Sequence, residues 1–253
     1  MSKLILLSGP SCVGKSPLYR TFCHLFPEHA RQMEKIVLYN DRAPRPGERE
    51  GQDYFFRTTQ EIEEMGTRPG FLRIQVRNDL QLLELDTLQR ILDRGCHVFF
   101  EGAPYIVSSL LEEGIMNRVP TQSIFLSPLN REEILFLLDP GRRINLYNLV
   151  TDIMRKKLLR RKHKQMGYLS TPDLEDIEVR CRTAYRELGV AYRFDYVIPN
   201  HDGEDSEHWS TFPYPIGEAL QSVLDFVSIV EDQPRPRIER WEKDLLPPTE
   251  QFL

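Results

Sequence analysis

The pattern of apolar and polar positions predicts a chain that alternates short strands with helices. Leu4 to Leu7 are apolar and run into Ser8-Gly9-Pro10, which reads as a short buried strand, Leu4–Ser8. A glycine-bearing turn follows, then a helical stretch from Lys15 to about Phe26. Ile36–Tyr39 predicts a second strand, and a polar, Pro/Gly-rich loop runs from Asn40 to Gln52. Asp53–Arg57 and Phe71–Val76 read as strands of a small lobe. Leu80, Leu83, Leu88, Ile91 and Leu92 recur at helical spacing, which predicts a helix stopping at Gly95. His97–Glu101, Ser123–Leu126 and Tyr196–Ile198 are short apolar runs of the kind that parallel sheets bury on both faces. A last amphipathic helix covers Ile216–Val230, and Gln233–Arg237 with Leu246-Pro247-Pro248 marks an extended, Pro-rich tail over 231–253. No internal repeat is visible. Together these elements predict an α/β fold built on a mostly parallel, doubly wound sheet.

At 253 residues the chain is near the upper limit for one hydrophobic core, so one domain, or one domain with a subsidiary lobe, is expected. Hydrophobic residues at 40% and charged residues at 28% exclude wholesale disorder. No run approaches the roughly 18–20 apolar residues of a membrane span, and Leu4–Leu7 is shorter than the roughly 7–15-residue core of a secretion signal. Cys12, Cys23, Cys96 and Cys181 form no C-x-x-C pair, and the six histidines share no metal-ligand spacing. A reducing, cytoplasmic setting is the expectation. The net charge of -5 argues against general nucleic-acid binding. That average hides a basic run, Arg155–Lys164, which carries seven of the 33 basic residues and no acid. Elsewhere 26 bases face 38 acids, a net of -12, so the run marks where an anion goes.

The clearest chemistry lies in Gly9-Pro10-Ser11-Cys12-Val13-Gly14-Lys15-Ser16, an ungapped G-x-x-x-x-G-K-[ST]. Glycines let backbone N–H groups curl around a phosphate, and the helix that follows aims its positive end at the same anion. Lys15 supplies a cation for β/γ-phosphates, and Ser16 a hydroxyl for Mg²⁺. Pro17 fits the first helical turn, where its missing N–H costs least. A second anion grip is written in Arg42-Ala43-Pro44-Arg45, with Pro44 and Pro46 stiffening two guanidinium forks and Tyr54 adding a phenol hydroxyl.

Taken together, GPSCVGKS and R-x-P-R-P-G-E-x-x-G-x-D-Y-x-F closely resemble the guanylate kinase family. Three later segments agree: Ser123–Pro128 with the family's I-F-I-x-P strand, Arg180, Ala184 and Glu187 with its R-x-x-x-A-x-x-E helix, and Phe194–Asn200 with its Y-D-Y-V-I-x-N strand. The resemblance spans about residues 3–230. It implies a P-loop kinase fold with an acceptor lobe at about 38–85 and a lid at about 139–172. It also implies ATP and Mg²⁺ as cofactors, with Gly9, Ser11, Cys12, Val13, Gly14, Lys15 and Ser16 holding the donor's phosphates. Arg42, Arg45 and Tyr54 would grip the acceptor's phosphate, Glu48 would orient the arginines, and Arg180 would close on the phosphates during transfer. A monomer or homodimer acting on a phosphorylated small molecule, away from any membrane, is the corresponding expectation.

Three departures qualify the acceptor. The family reads guanine through a glutamate after F-[IL] and through a Y-G-[ST] segment, whereas here Arg73 follows Phe71-Leu72 and no Y-G-[ST] occurs. Arginine only donates, and guanine's N1–H and N2–H₂ edge needs acceptors, so Asp79 or Glu84 must substitute or Arg73 faces another anion. The family's L-D-I-D strand end is replaced by Val98–Gly102, which leaves Glu101 as the nearest carboxylate, read either as a metal or acceptor ligand or as an ordinary charged residue at a strand end. The lid interval is swollen by Asp139–Asn148 and by the basic run, in which Arg155, Lys156, Arg160 and Lys164 would share a helix face. That face reads either as a phosphate lid or as a solvated or partner-binding patch. The expected function is ATP-dependent phosphoryl transfer to a nucleoside monophosphate (GMP and ATP giving GDP and ADP). The alternatives are a kinase of the same fold with a non-guanine acceptor and a non-catalytic binding module.

Overall fold

The computed structural model describes residues 2–44 and 47–251. In chain order its strands and α-helices are β1 (Leu4–Ser8), α1 (Lys15–Leu25), α2 (Pro27–Ala30), β2 (Met33–Lys35), β3 (Tyr39–Asn40) and β4 (Phe55–Phe56). There follow α3 (Thr59–Gly66), β5 (Phe71–Val76), β6 (Asp79–Glu84), α4 (Leu85–Asp93), β7 (His97–Gly102) and α5 (Pro104–Glu112). The remainder is β8 (Thr121–Ser127), α6 (Arg131–Leu138), α7 (Leu146–Met166), α8 (Thr171–Leu188), β9 (Tyr196–Pro199) and α9 (Gly217–Val230). The chain divides into two compact units, Met1–Leu6 with Glu28–Thr121 and Leu7–Pro27 with Gln122–Leu253.

In the first unit β2 runs parallel to β7, with Met33 opposite His97 and Lys35 opposite Phe99. The same unit holds a four-stranded sheet in the order β4-β3-β6-β5. β5 and β6 form an antiparallel hairpin from Phe71↔Glu84 to Val76↔Asp79, turning at Arg77, whose φ is 56°. This corrects the helix expected from Leu80. Leu80 and Leu83 sit at a helical interval, but Leu80 to Leu83 are all buried, so both faces of the segment are covered and pairing with β5 wins over the local period. The helix is confined to α4, and the early strand shifts from Ile36–Tyr39 to the two short strands β2 and β3.

In the second unit β8 pairs with β9 in parallel, from Ile124↔Tyr196 to Ser127↔Pro199. The interior is built on Ile124, Phe125 and Leu126 of β8, Val197 and Ile198 of β9, and Val223 and Phe226 of α9, all fully buried. α8 starts from a reciprocal cap between Ser170 and Asp173, and it buries Ile177, Arg180, Cys181, Ala184, Tyr185 and Leu188. Those positions recur every three or four residues, which draws Arg180 inward on an otherwise apolar stripe. The Pro-rich tail packs against this unit. Arg235 and Arg237 pair with the fully buried Asp225 of α9, Glu239 bridges antiparallel to Val197, and the Tyr185 hydroxyl donates to Pro247 O at 2.8 Å.

Candidate functional site

In the second unit β1 stops at Ser8, and the chain wraps through Gly9–Gly14 before α1 begins at Lys15. Gly9 and Gly14 have φ of 141° and 107°, which only glycine adopts without strain. A Cβ on Gly9 would collide with the Leu126 carbonyl oxygen, and one on Gly14 would come within 2.6 Å of the Asn200 amide nitrogen. The glycines are therefore required both for the turn and for what packs on it. Lys15 is 8% exposed, and its ammonium donates to Gly9 O at 2.8 Å and to Pro10 O at 2.7 Å. Arg180 reaches the same turn, Nη1 donating to Ser11 Oγ at 3.1 Å while Nε is held by Asp176 at 2.8 Å. Cys12 and Val13 are fully buried, and burial pushes the Cys12 thiol up to about 12, so it contributes backbone rather than reactivity.

The loop after β9 is fastened to this turn. Asn200 Nδ2 donates to Val13 O at 2.8 Å, the backbone N–H of Glu204 donates to Cys12 O at 3.2 Å, and the Trp209 indole N–H donates to Asp202 O and Gly203 O, both at 3.0 Å. The His201 ring stands between Glu218 at 2.6 Å and Glu133 at 2.9 Å, and these two carboxylates raise it to about 9.

The anion expected at the basic run proves to be largely the chain's own carboxylates. Arg155 pairs with Glu178 at 2.7 Å and with Asp152, Arg161 with Glu204 at 2.6 Å and Lys162 with Asp173 at 2.8 Å. Arg160 lies 3.9 Å from Asp205, Lys164 pairs with Glu207, and Lys157 donates to His201 O. Arg155 leaves the shared face expected for it and turns to α8, whereas Lys156, Arg160 and Lys164 line one cavity of about 650 Å³ together with His201 and His208. In the sequence Arg161 is marked only as part of the basic run, and Glu204 not at all. The signal available for the pair is the acidic segment Asp202–Glu207, a charge complement to 155–164 placed shortly after β9.

In the first unit Arg42 is gripped in bidentate fashion by Glu48, at 2.6 and 2.7 Å, and lies 3.6 Å from Asp79. Its guanidinium stacks over Tyr54 at 5.1 Å and Phe56 at 5.8 Å. The structure thus brings together Arg42, Glu48 and Tyr54, and Arg45 falls outside the described residues. Arg73 and Glu84 lie elsewhere on the four-stranded sheet. Arg73 pairs with Leu82, and both pack beside Gly66 of α3, while Glu84 shares the parity of Leu80 and Leu82. Asp79, which faces Arg42, has the opposite parity. Arg73 is exposed on the α3 face, and Glu84 accepts from Thr87 Oγ1 at 2.8 Å and meets Arg90 at 3.4 Å. Glu101, near the end of β7, pairs with Lys35 at 3.8 Å. Among the described residues no group of three or more His, Cys, Asp or Glu side chains is arranged to hold a metal, and no helix is long and apolar enough to cross a membrane.

Comparison with known proteins adds an independent line. A family profile described as guanylate kinase matches residues 1–118. The guanylate kinase of Streptococcus pneumoniae strain R6 is 35% identical over 199 residues, covering 78% of this chain and 78% of its own. That of Wolbachia pipientis wMel is 24% identical over 241 residues, covering 93% and 96%. Among solved structures, the crystal structure of guanylate kinase from Anaplasma phagocytophilum superposes with a TM-score of 0.55 over 93% of this chain and 88% of that one, at 18% identity, which establishes likeness of fold.

Proposed function

The chain belongs to the guanylate kinase family, and from that premise we propose how it carries the family's reaction, transfer of the γ-phosphoryl group of ATP to GMP to give ADP and GDP. The observation that carries the assignment is the Gly9–Ser16 turn, unbroken in sequence and closed at the mouth of α1 with Lys15 inside it. Its backbone N–H groups and the positive end of α1 hold the donor's phosphates, drawing on Gly9, Ser11, Cys12, Val13 and Gly14. Lys15 supplies a cation to the β- and γ-phosphates, and Arg180, already on Ser11, supplies a second to the group in flight. Ser16 is the side chain that would hold Mg²⁺. One hydroxyl suits an ion that takes most of its ligands from substrate phosphates and water, and the ion would add positive charge against the transferring oxygens.

On the acceptor side Arg42 holds the phosphate of GMP with Tyr54 beside it, Glu48 fixes the guanidinium plane, and Arg45 is the second fork. Glu101 is a carboxylate for the acceptor or the metal. We assign the acceptor lobe to about 38–85, the lid to about 139–172, and the setting to the cytoplasm, where ATP is the ready donor. Phosphoryl transfer asks little covalent work of side chains, so positioning and charge neutralisation carry the rate and no general base is needed.

The test is product formation from ATP and Mg²⁺ with GMP, dGMP, AMP, CMP and UMP in parallel. GDP formation above all other products is expected, and absence of any phosphorylated product overturns the assignment. A second reading keeps the transfer and changes the acceptor's base. It rests on Arg73, a donor-only side chain where the family carries a glutamate, and the same panel decides it.

A further inference from the structure

We infer that Glu204 is an internal counter-ion of the phosphate turn, a fixed carboxylate that competes with the donor's phosphates for Arg161. The inference rests on the assignment of the Gly9–Ser16 turn to donor phosphates.

Position comes first. Glu204 belongs to the loop that packs on the turn, and its backbone N–H donates to Cys12 O at 3.2 Å. The preceding residue, Gly203, lies so close that a Cβ there would collide with the same carbonyl oxygen. The Glu204 carboxylate accepts from Arg161 Nη1 at 2.6 Å and is only 18% exposed. A carboxylate is an unusual neighbour for a turn whose geometry is suited to anions, since it brings the same sign of charge as the ligand.

Fixity comes second. The loop is tied at Asn200 to Val13 O, at Asp202 and Gly203 to the Trp209 indole, and at His201 to Glu133 and Glu218. Asp202 adds bonds to Ser206 Oγ at 2.9 Å and to the backbone N–H of Ala219 at 3.0 Å. The loop backbone that carries Glu204 is thus fixed at many points, and its carboxylate is held in turn by Arg161.

Third, Arg161 has capacity left over. Its Nε is buried without a hydrogen-bond partner among the described residues, while Nη1 is engaged by Glu204. A buried guanidinium N–H without an acceptor costs stability, and a phosphate oxygen is the acceptor that suits it. The titration of Glu204 agrees with this geometry. Burial alone would raise its carboxyl, but the charges of Arg161, Lys15 and Arg180 outweigh burial and hold it below the ordinary carboxylate value. The cations assigned to the donor's phosphates therefore already act on one carboxylate.

A competitor and a helper make opposite predictions. Were Glu204 an orienting partner that Arg161 needs, loss of its charge would weaken phosphate binding. As a competitor, loss of its charge strengthens it. Glu204→Gln keeps the size and an acceptor oxygen for Arg161, removes the charge and turns the second oxygen into an N–H₂ donor. We expect calorimetry with inorganic tripolyphosphate and with ADP to show roughly tenfold tighter binding by Glu204→Gln than by the unaltered chain, about 1.4 kcal/mol, with Glu204→Asp close to unaltered. Equal or weaker binding by Glu204→Gln overturns the inference and leaves the turn's assignment standing. Failure of the unaltered chain and the variant alike to bind either probe overturns both. Should Glu204→Gln not fold, the unaltered chain still decides the matter. The Arg161 Nε–H proton resonance, assigned by its loss in Arg161→Lys, is expected to shift on saturation with tripolyphosphate, and an unmoved resonance overturns the inference.

Discussion

The turn proposed for the donor's phosphates draws its chemistry from eight consecutive residues, Gly9 to Ser16, whereas the cluster around Arg42 takes Glu48 and Tyr54 from the loop that follows it and Asp79 from the distant strand β6. In the turn, the charges are set by backbone direction and by a lysine folded onto two carbonyls of its own loop. Around Arg42, the guanidinium is neutralised by a bidentate carboxylate six residues away and stacked on the rings of Tyr54 and Phe56, and only Asp79 comes from a distant strand. The contrast teaches that the turn is defended by local sterics alone, whereas the Arg42 cluster also depends on the strand parity and register that bring in Asp79. A one-residue change of parity moves a side chain to the opposite face, as Arg73 and Asp79 illustrate on one hairpin.

The largest effect that would break this contrast is at Lys15. Lys15→Ala should lower kcat/KM by roughly 10²–10³-fold, the scale of losing one preorganised charge-stabilising donor, with Tm nearly unchanged because the turn's glycines and packing remain. Steady-state kinetics alongside a thermal melt check it, and unimpaired turnover would remove Lys15 from the mechanism. Arg42→Ala should come next. Loss of a charge-assisted contact worth about 2 kcal/mol raises the acceptor's KM roughly thirtyfold, with little change in the KM for ATP. An effect confined to ATP would show that the cluster serves something other than the acceptor.

A smaller effect concerns how the donor side is fastened. His201 is raised from its ordinary 6.5 to about 9 by Glu218 and Glu133. Its stabilisation is complete below the unfolded value and is lost as pH climbs through the folded one. The melting temperature should therefore decline between about pH 6.5 and 9, and His201→Gln should flatten that stretch of the profile. An identical slope in the variant would assign the decline to other groups. The smallest effect is expected at Arg73. Exposed on the α3 face, Arg73→Ala should change the acceptor's KM by less than about twofold, and a large rise would place the acceptor on both faces of the sheet.

Much of this was legible in the residues alone, unevenly so. The turn and α1 could be read because each rests on neighbours within a few positions: glycine at the two most strained positive-φ positions, proline in the first helical turn, a cation after the second glycine, although the positive φ of 66° at Cys12 carries no such mark. Arg180 was legible through its motif, and its burial follows from the spacing of Ile177, Cys181, Ala184 and Leu188. The hairpin of β5 and β6 was not, because Leu80 and Leu83 satisfy a helical interval as well as a strand, and only pairing with Phe71–Val76 chooses between them. Arg73 stands where the family carries a glutamate and Glu84 is a candidate substitute acceptor, but that the two share the sheet face opposite Asp79 follows only from the pairing of β5 with β6.

The amino-acid order by itself determined the Gly9–Ser16 turn, the helix behind it and the α/β alternation, since local sterics and periodicity act over a few residues. Tertiary structure decided which anions answer the basic run. Arg155, Arg161 and Lys162 meet Glu178, Glu204 and Asp173, and the tail's Arg235 and Arg237 close on Asp225. Charge on a sequence announces a demand for a counter-charge but carries no address. That address exists only once distant segments are packed together, because Coulombic pairing acts through distance in space and is indifferent to separation along the chain.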